Sequence, residues 1–559
     1  MSQKNQPLSN YPRPQFQRDS YICLNGEWDY KISKSSAFPH SFDGKILVPY
    51  SPETELSGVN HILKPDEYLY YKLDFEVPEN FIKDKVYLHF LAVDQICDVM
   101  LNGQMLGHHE GGFLPFSFEI KSKLENGKNT LFIRVQDFTD KSYHSRGKQK
   151  LKHGGIWYTP QSGIWLPVFL ESTPFLHVDD VKFTPDIDNE EVIIHVTSGA
   201  HVCTINIEGK KQEIACNDDV HIHIDNMRLW STENPYLYPI TIQVGEDKVN
   251  SYFAMRKFSI MNDENGVPRL ALNNKPIFMK GVLDQGYYKK GLLTPENYDY
   301  YIKDIELAKS LGFNTIRKHI KIEAPIWYYE CDRRGMIVWQ DFVNGGNKYN
   351  LFTITLPLIT KLHANDHRYL KFNRANKEGR IEALKEFKQT INYLYNSPCI
   401  ALWTIFNEGW GQFDSKQVLQ EMQKIDSSRL YDHASGWHDQ KIGDIKSMHI
   451  YFQRVKLPNK DNRCKIVSEF GGLVLPIEGH VMKGNSVYKK FASKEEYLKS
   501  FEEMMDLDIV ANIPLGLSAS IYTQLSDVEE ETNGFITFDR EVLKFRPEEI
   551  KKINDKIHL

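Results

Sequence analysis

The chain has 559 residues, 41% of them hydrophobic and 25% charged, with a formal net charge of −6. That length exceeds one ordinary domain and admits roughly two to four, and the composition is that of a globular protein. There is no basic stripe for nucleic acid, no acidic tail for a basic partner, and no run of about 18 apolar residues for a membrane span.

The opening stretch, Met1 to Ser9, is polar and lacks the apolar core of a signal peptide. Seven scattered cysteines (23, 97, 203, 216, 331, 399, 464) contain no Cys-x-x-Cys pair, which fits reduced thiols and predicts a cytoplasmic protein. Residues 1–173 read as all-β. Val86–Phe90, Ile96–Leu101 and Thr130–Val135 are rich in β-branched and aromatic residues, and Asn102-Gly103 and Asn126-Gly127 supply tight turns. A jelly-roll sandwich is the natural solution. Residues 174–260 form a second β-rich segment of immunoglobulin-like size, with strands at Val192–Val196, Cys203–Ile207, Val220–Ile224 and Ile240–Val244. His221 and His223 share one strand face there, with no third ligand nearby in sequence, and read as plain strand residues.

From residue 261 to 559 strands alternate with helices. Thr294-Pro295 reads as a helix start, followed by Ile302, Ile305, Ala308 and Leu311 at helical spacing. Strands follow at Asn314–Arg317 and Met336–Trp339, with a short helix ending near Gly335 between them. Ile381, Leu384, Phe387, Ile391 and Leu394 mark one amphipathic helix, and Val418, Leu419, Met422 and Ile425 another. Ser493-Lys-Glu-Glu496 is a capping box opening a helix to about Leu507, and Ser518–Tyr522 is the closing strand. Roughly 300 residues in this pattern fit an eight-fold (β/α) barrel.

Two stretches carry chemistry. Ile400–Phe406 is a continuous apolar run suited to a strand buried on both faces, and it stops at Asn407-Glu408. Lys465-Ile-Val-Ser-Glu469 repeats the arrangement, with Gly471 and Gly472 after it. Catalytic groups of such barrels stand at the carboxyl ends of the strands. Two strand-terminal glutamates suit glycoside hydrolysis, in which one protonates the departing oxygen and the other attacks or stabilises the anomeric carbon.

With these residues in hand, the chain resembles glycoside hydrolase family 2, the family of β-galactosidases and β-glucuronidases. The likeness rests on Leu24-Asn-Gly-Glu-Trp28, Gly111–Phe116, Gly155–Tyr158 with Ser162–Trp165, Leu229–Tyr238, Lys275–Gly281 and Phe313–Arg317. It implies a jelly-roll domain, an immunoglobulin-like domain and a catalytic barrel. It makes Glu408 the general acid/base and Glu469 the nucleophile, with retention of configuration. Asn407 is expected on the sugar 2-hydroxyl, and Arg317 beside Glu469. His449 and Tyr451 share a strand face, and the resemblance sets the Tyr hydroxyl near the nucleophile. Asp284, Gln285 and Trp437 follow apparent strand ends and are candidates to line the sugar site.

The chain departs from the family at Arg317-Lys-His-Ile-Lys-Ile-Glu323, where Arg-x-Ser-His-Tyr-Pro is usual. Lys318, His319 and Glu323 are therefore candidate specificity residues. Glucuronidases carry an Asn-x-Lys pair that grips the sugar carboxylate, and the local match here is Glu531-Thr-Asn533. A glutamate in that place disfavours a uronate. The expectation is a retaining exo-β-glycosidase, β-galactosidase first, with β-glucuronidase or β-mannosidase as the near alternative and a non-catalytic carbohydrate-binding protein as the distant one. The partner would be a small carbohydrate, neither nucleic acid nor membrane, and homo-oligomerisation is left open. The chemistry requires no metal; some relatives bind magnesium or sodium near the site, but no dedicated cluster calls for one here.

Overall fold

The computed structural model describes residues 6–355, 357, 360, 363–482 and 489–559; the first five residues of the polar N-terminal stretch lie outside them. The first β-rich region pairs a four-stranded sheet (order Tyr21–Cys23, Val168–Thr173, Lys85–Phe90, Phe116–Glu119) with a six-stranded one. Strict alternation drives this packing. Along Lys128–Gln136 every second residue from Asn129 is buried, so Leu131, Ile133 and Val135 enter the core shared by the two sheets. Asn102 and Gly103 adopt φ of 49° and 76°, as a tight hairpin between Ile96–Leu101 and Gln104–Glu110 requires.

The second region is a seven-stranded sandwich of three and four antiparallel strands with its own core around Ile194, Ile205 and Ile242. His221 and His223 are half-exposed and pair with Glu191 and Asp225. The sandwich docks on the barrel through Trp230, which is 0% exposed and donates Nε1–H to Asp332 O at 2.7 Å. Tyr252 OH bonds Asp332 Oδ2 at 2.7 Å beside it.

Eight parallel strands form the barrel: β1 (Met279–Asp284), β2 (Thr315–Lys318), β3 (Ile337–Asp341), β4 (Ile400–Thr404), β5 (Leu430–Asp432), β6 (Ile445–Ile450), β7 (Cys464–Gly471) and β8 (Leu517–Thr523). The order is β5-β4-β3-β2-β1-β8-β7-β6, and among the described residues no ladder joins β5 to β6. Beneath the barrel, the strand Pro268–Leu272 sends Arg269 to Leu517 O and Ile513 O at 2.7 and 2.9 Å.

Helices α1 (Asp299–Ser310), α2 (Pro325–Arg334), α3 (Lys377–Leu394), α4 (Ser415–Ile425), α5 (Lys494–Met504) and α6 (Pro547–Asn554) surround it. Ser493 caps α5, its Oγ accepting from Glu496 N at 3.2 Å, and the chain continues as a π-turn, Met505–Ile509. Two expectations fail. Helix α1 starts at Asp299 and not at Thr294-Pro295: the Thr294 hydroxyl bonds Trp165 O at 2.6 Å, so this segment docks on the first sandwich before the helix begins. Ile381 is 59% exposed, because the buried face of α3 runs through Gly379, Ala383, Phe387, Ile391 and Leu394. Gly379 sits against the Tyr143 ring with no room for a Cβ, which fixes that rotation.

Trp230→Ala is expected to cost about 3–5 kcal/mol, as large buried aromatics do, and to expose the junction of second sandwich and barrel. Urea unfolding with limited proteolysis would read this; an unchanged transition and cleavage pattern would refute the docking role.

Candidate active site

The strands aim the site residues by alternation. On β2, Arg317 faces the barrel interior and so does His319 two residues on. Lys318 points the other way, between the helices, where its Nζ meets Asp284 Oδ2 at 2.6 Å and Glu323 Oε1 at 2.9 Å over the Trp327 ring. Asp284 and Lys318 are register partners on adjacent strands. Lys321 also bonds Glu323, at 2.7 Å. Asp284, Lys318 and Glu323 are therefore a buried ion cluster outside the barrel wall, not sugar ligands beside the glutamates. Gln285 is buried nearby, its Oε1 without a partner among the described residues.

Beyond β4 the chain keeps pairing past the strand proper. Ser435 N bonds Phe406 O at 2.8 Å, and Glu408 N bonds Ser435 O at 3.0 Å. Glu408 itself takes a left-handed φ of 50°, which turns it off the strand line. Glu469 lies within β7 opposite His449 of β6, where a register shift after Met448 breaks the regular ladder and re-aims both side chains.

The result is one connected centre. Arg317 is 0% exposed and uses all five of its N–H donors. Nε and Nη2 clamp Asp341 at 2.9 and 3.0 Å, and Nη2 also reaches Asn407 Oδ1 at 2.8 Å. Nη1 bonds Glu469 Oε1 at 3.1 Å and Ser468 O at 3.0 Å. His319 Nδ1 bonds Asp341 Oδ2 at 2.7 Å and lies 3.9 Å from Glu469 Oε1. Tyr451 OH donates to Glu469 Oε2 at 2.7 Å. His449 Nδ1 meets Glu408 Oε1 at 2.9 Å, and its Nε2 meets Ser435 Oγ at 2.9 Å and Arg317 Nη1 at 3.4 Å. Trp437 packs 6.2 Å from the His449 ring. Carboxylate oxygens of Glu408 and Glu469 and a ring nitrogen of His449 lie within 4.8 Å of one another.

The two glutamates are driven apart electrostatically. Burial raises the Glu469 carboxyl, but the neighbouring His449, then Arg317 and His319, hold it down to about 2, with the Tyr451 hydrogen bond helping. Burial raises Glu408 above its ordinary value, the His449 hydrogen bond opposes this, and the charge of Glu469 adds to it. Burial also lowers His319 to about 4, despite its bond to Asp341.

Several residues at this centre carry no signal in sequence. Asp341 ends β3 and clamps Arg317. Trp410, two residues past Glu408, packs tilted against Trp157 with ring centroids 5.0 Å apart and lies 6.3 Å from His319. Trp157 arrives from the first sandwich, whose loop 143–161 crosses onto the barrel: His144 Nδ1 meets Glu382 at 2.6 Å, Gly155 N donates to Glu530 at 2.8 Å, and Thr159 N to Glu529 at 2.9 Å. On the same loop, Tyr158 OH donates to Glu531 Oε2, and Lys148 Nζ lies 3.8 Å from that oxygen. Asn533 accepts from Gln524 Nε2 at 2.7 Å.

Three family models match in succession: "Glycosyl hydrolase 2 galactose-binding domain-like" over residues 44–163, "Glycosyl hydrolases family 2" over 176–256, and "Glycosyl hydrolases family 2, TIM barrel domain" over 266–558. A β-galactosidase of Thermoanaerobacter pseudethanolicus is 22% identical over 497 residues, covering 82% of this chain and 62% of that protein. A putative β-glucuronidase of Formosa agariphila is 24% identical over 420 residues, covering 70% and 44%. The chain thus spans less than two thirds of the length of these relatives. Among solved structures, a β-glucuronidase from an uncultured Clostridium superposes with a TM-score of 0.76 at 18% identity, covering 99% of this chain and 100% of that one. A β-galacturonidase from Eisenbergiella tayi gives 0.72 at 17%, with 98% of each covered. With the barrel model alone matching more than half its residues, the chain belongs to glycosyl hydrolase family 2.

Proposed function

We propose that the chain is a retaining exo-β-glycosidase, with Glu469 as nucleophile and Glu408 as general acid/base. The observation that carries this reading is the pair itself: two buried carboxyls with an oxygen of each within 4.8 Å of the other, one held low at about 2 and the other raised. That separation suits direct attack through a covalent glycosyl-enzyme, since inverting enzymes leave room for a water between wider carboxyls. Glu469 attacks the anomeric carbon while Glu408, its Oε1 fixed by His449, gives its proton to the departing oxygen from Oε2. That oxygen has no hydrogen-bond partner among the described residues. Once Glu469 is esterified its charge is gone, one cause of the raised Glu408 disappears, and Glu408 can deprotonate water for the second step.

Asn407 supports the same reading. Its Oδ1 is held by Arg317, while its buried Nδ2 has no partner among the described residues. A buried amide with free donors is costly unless a ligand accepts from them, and the sugar 2-hydroxyl is the expected acceptor. Galactose is the first glycone to test, because the curated relatives quoted include a β-galactosidase. β-Glucuronidase, the name carried by the Clostridium structure, is the second reading. The buried carboxyl of Glu531 at the barrel mouth opposes a uronate there.

On a panel of p-nitrophenyl β-glycosides, Glu469→Gln is expected to lose at least about 10³-fold in kcat, and a 2-deoxy-2-fluoro glycoside should leave a glycosyl mass on Glu469 of the wild type. Turnover by Glu469→Gln, or an unlabelled Glu469, would refute the assignment. Activity needs Glu469 ionised and Glu408 protonated. The rate should therefore hold on the acid side down towards the low value of Glu469 and fall as pH rises through that of Glu408. Glu408→Gln should abolish the alkaline limb on an activated leaving group; a limb that survives would point to another acid. Arg317→Met leaves Asp341 and Glu469 buried without their cation, which is expected to cost about 3–5 kcal/mol in urea unfolding. Adding Asp341→Asn should recover part of it; no recovery would mean that the two carboxylates do not depend on Arg317.

A further inference from the structure

Lys148 sits on the loop that the first sandwich lays over the barrel, and it is 7% exposed. A lysine so buried ordinarily has its three N–H donors taken up. Here Nζ reaches the Tyr158 hydroxyl at 3.5 Å and Glu531 Oε2 at 3.8 Å, both at the outer edge of useful contact. Its other neighbours are ring faces, Tyr158 at 5.0 Å and Trp410 at 5.9 Å from the centroids. The ammonium is thus desolvated and short of acceptors, a costly condition unless a ligand supplies them.

Its surroundings are open in the complementary sense. Glu531 accepts from Tyr158 at Oε2, while its Oε1 has no hydrogen-bond partner among the described residues. Trp410 Nε1 is buried and equally unpartnered. This corner belongs to the catalytic centre: besides burial, the charge of Lys148 acts on Glu408, His319 and Glu531 alike. It is built from two domains, since Lys148 and Tyr158 come from the sandwich and Glu531 and Trp410 from the barrel.

We propose that Lys148 is a substrate-binding residue that, together with Glu531, reads two neighbouring hydroxyls of a neutral glycone. Lys148 donates to the oxygen of one hydroxyl, and Glu531 accepts from the other. A vicinal diol fits because each hydroxyl both donates and accepts. A uronate would instead bring a further carboxylate beside Glu531 and Glu469. The inference rests on the glycosidase reading of this same site and adds to it which groups select the sugar.

The test crosses substrate deoxygenation with mutation. On p-nitrophenyl β-glycosides and their monodeoxy analogues, the wild type should lose at least about tenfold in kcat/KM when the contacted hydroxyl is removed. Lys148→Met should lose less than about twofold from the same deletion, and Lys148→Arg should recover part of the discrimination. Equal penalties in wild type and K148M at every ring position would overturn the proposal. If K148M shows no cooperative melt, K148R and E531Q carry the same comparison. Should the wild type turn over no glycoside, the glycosidase reading fails, and calorimetric titration with free galactose, glucose, mannose and glucuronate decides for Lys148. At least tenfold weaker binding of a neutral sugar by K148M supports the role; equal binding, no binding by the wild type, or preference for glucuronate overturns it.

Discussion

The Arg317 guanidinium is the interaction on which the centre depends. It is wholly buried, and each of its five N–H groups has an acceptor: two on Asp341, one on Asn407, one on Glu469 and one on the Ser468 carbonyl. Burying a cation is tolerable only when its partners are complete. Here the partners come from β3, β7 and the segment after β4. One planar group on β2 therefore ties three further strand ends, one of them across the barrel, to its own, and its rigid fork does so more sharply than a lysine could.

The surroundings of the two glutamates also set them apart. Both are buried, and burial alone would raise both carboxyls. Glu469 has His449, Arg317 and the Tyr451 hydroxyl against it and is held low. Glu408 has the His449 hydrogen bond and, less strongly, Lys148 against it, and it feels the charge of Glu469. Two identical side chains in one pocket are made unlike by which strand end faces them.

Much of this was readable from the chain. The apolar runs before Asn407-Glu408 and Glu469 mark buried strands whose ends are polar, and alternation alone sets His449 and Tyr451 on one face. Alternation also separates Lys318 from Arg317 and His319, though nothing in sequence says which face is inward; Lys318, Glu323 and Asp284 proved to belong to the outer ion cluster. What could not be read are contacts between distant segments. Lys148 and Tyr158 reach Glu531 across more than 370 residues, and no local pattern encodes that meeting. The misread helix start has the same origin: Thr294 is good capping chemistry, but the Trp165 carbonyl claims its hydroxyl. The exposed Ile381 shows that the rotation of α3 is set by the close approach of Gly379 to Tyr143 as much as by its apolar stripe.

Among the described residues no ladder joins β5 to β6, and this gives the barrel a mechanical seam. Across it the described residues offer side chains where the other strands offer backbone: Ser435 Oγ to Ser447 Oγ at 3.5 Å and to His449 Nε2 at 2.9 Å. Elsewhere around the barrel neighbouring strands are joined by main-chain bonds. Elastic compliance therefore concentrates along this line, and amide exchange should be fastest there, where opening breaks the fewest main-chain bonds. His449 stands on one bank of the seam with Glu408 bonded to it, so the barrel is softest beside that carboxyl.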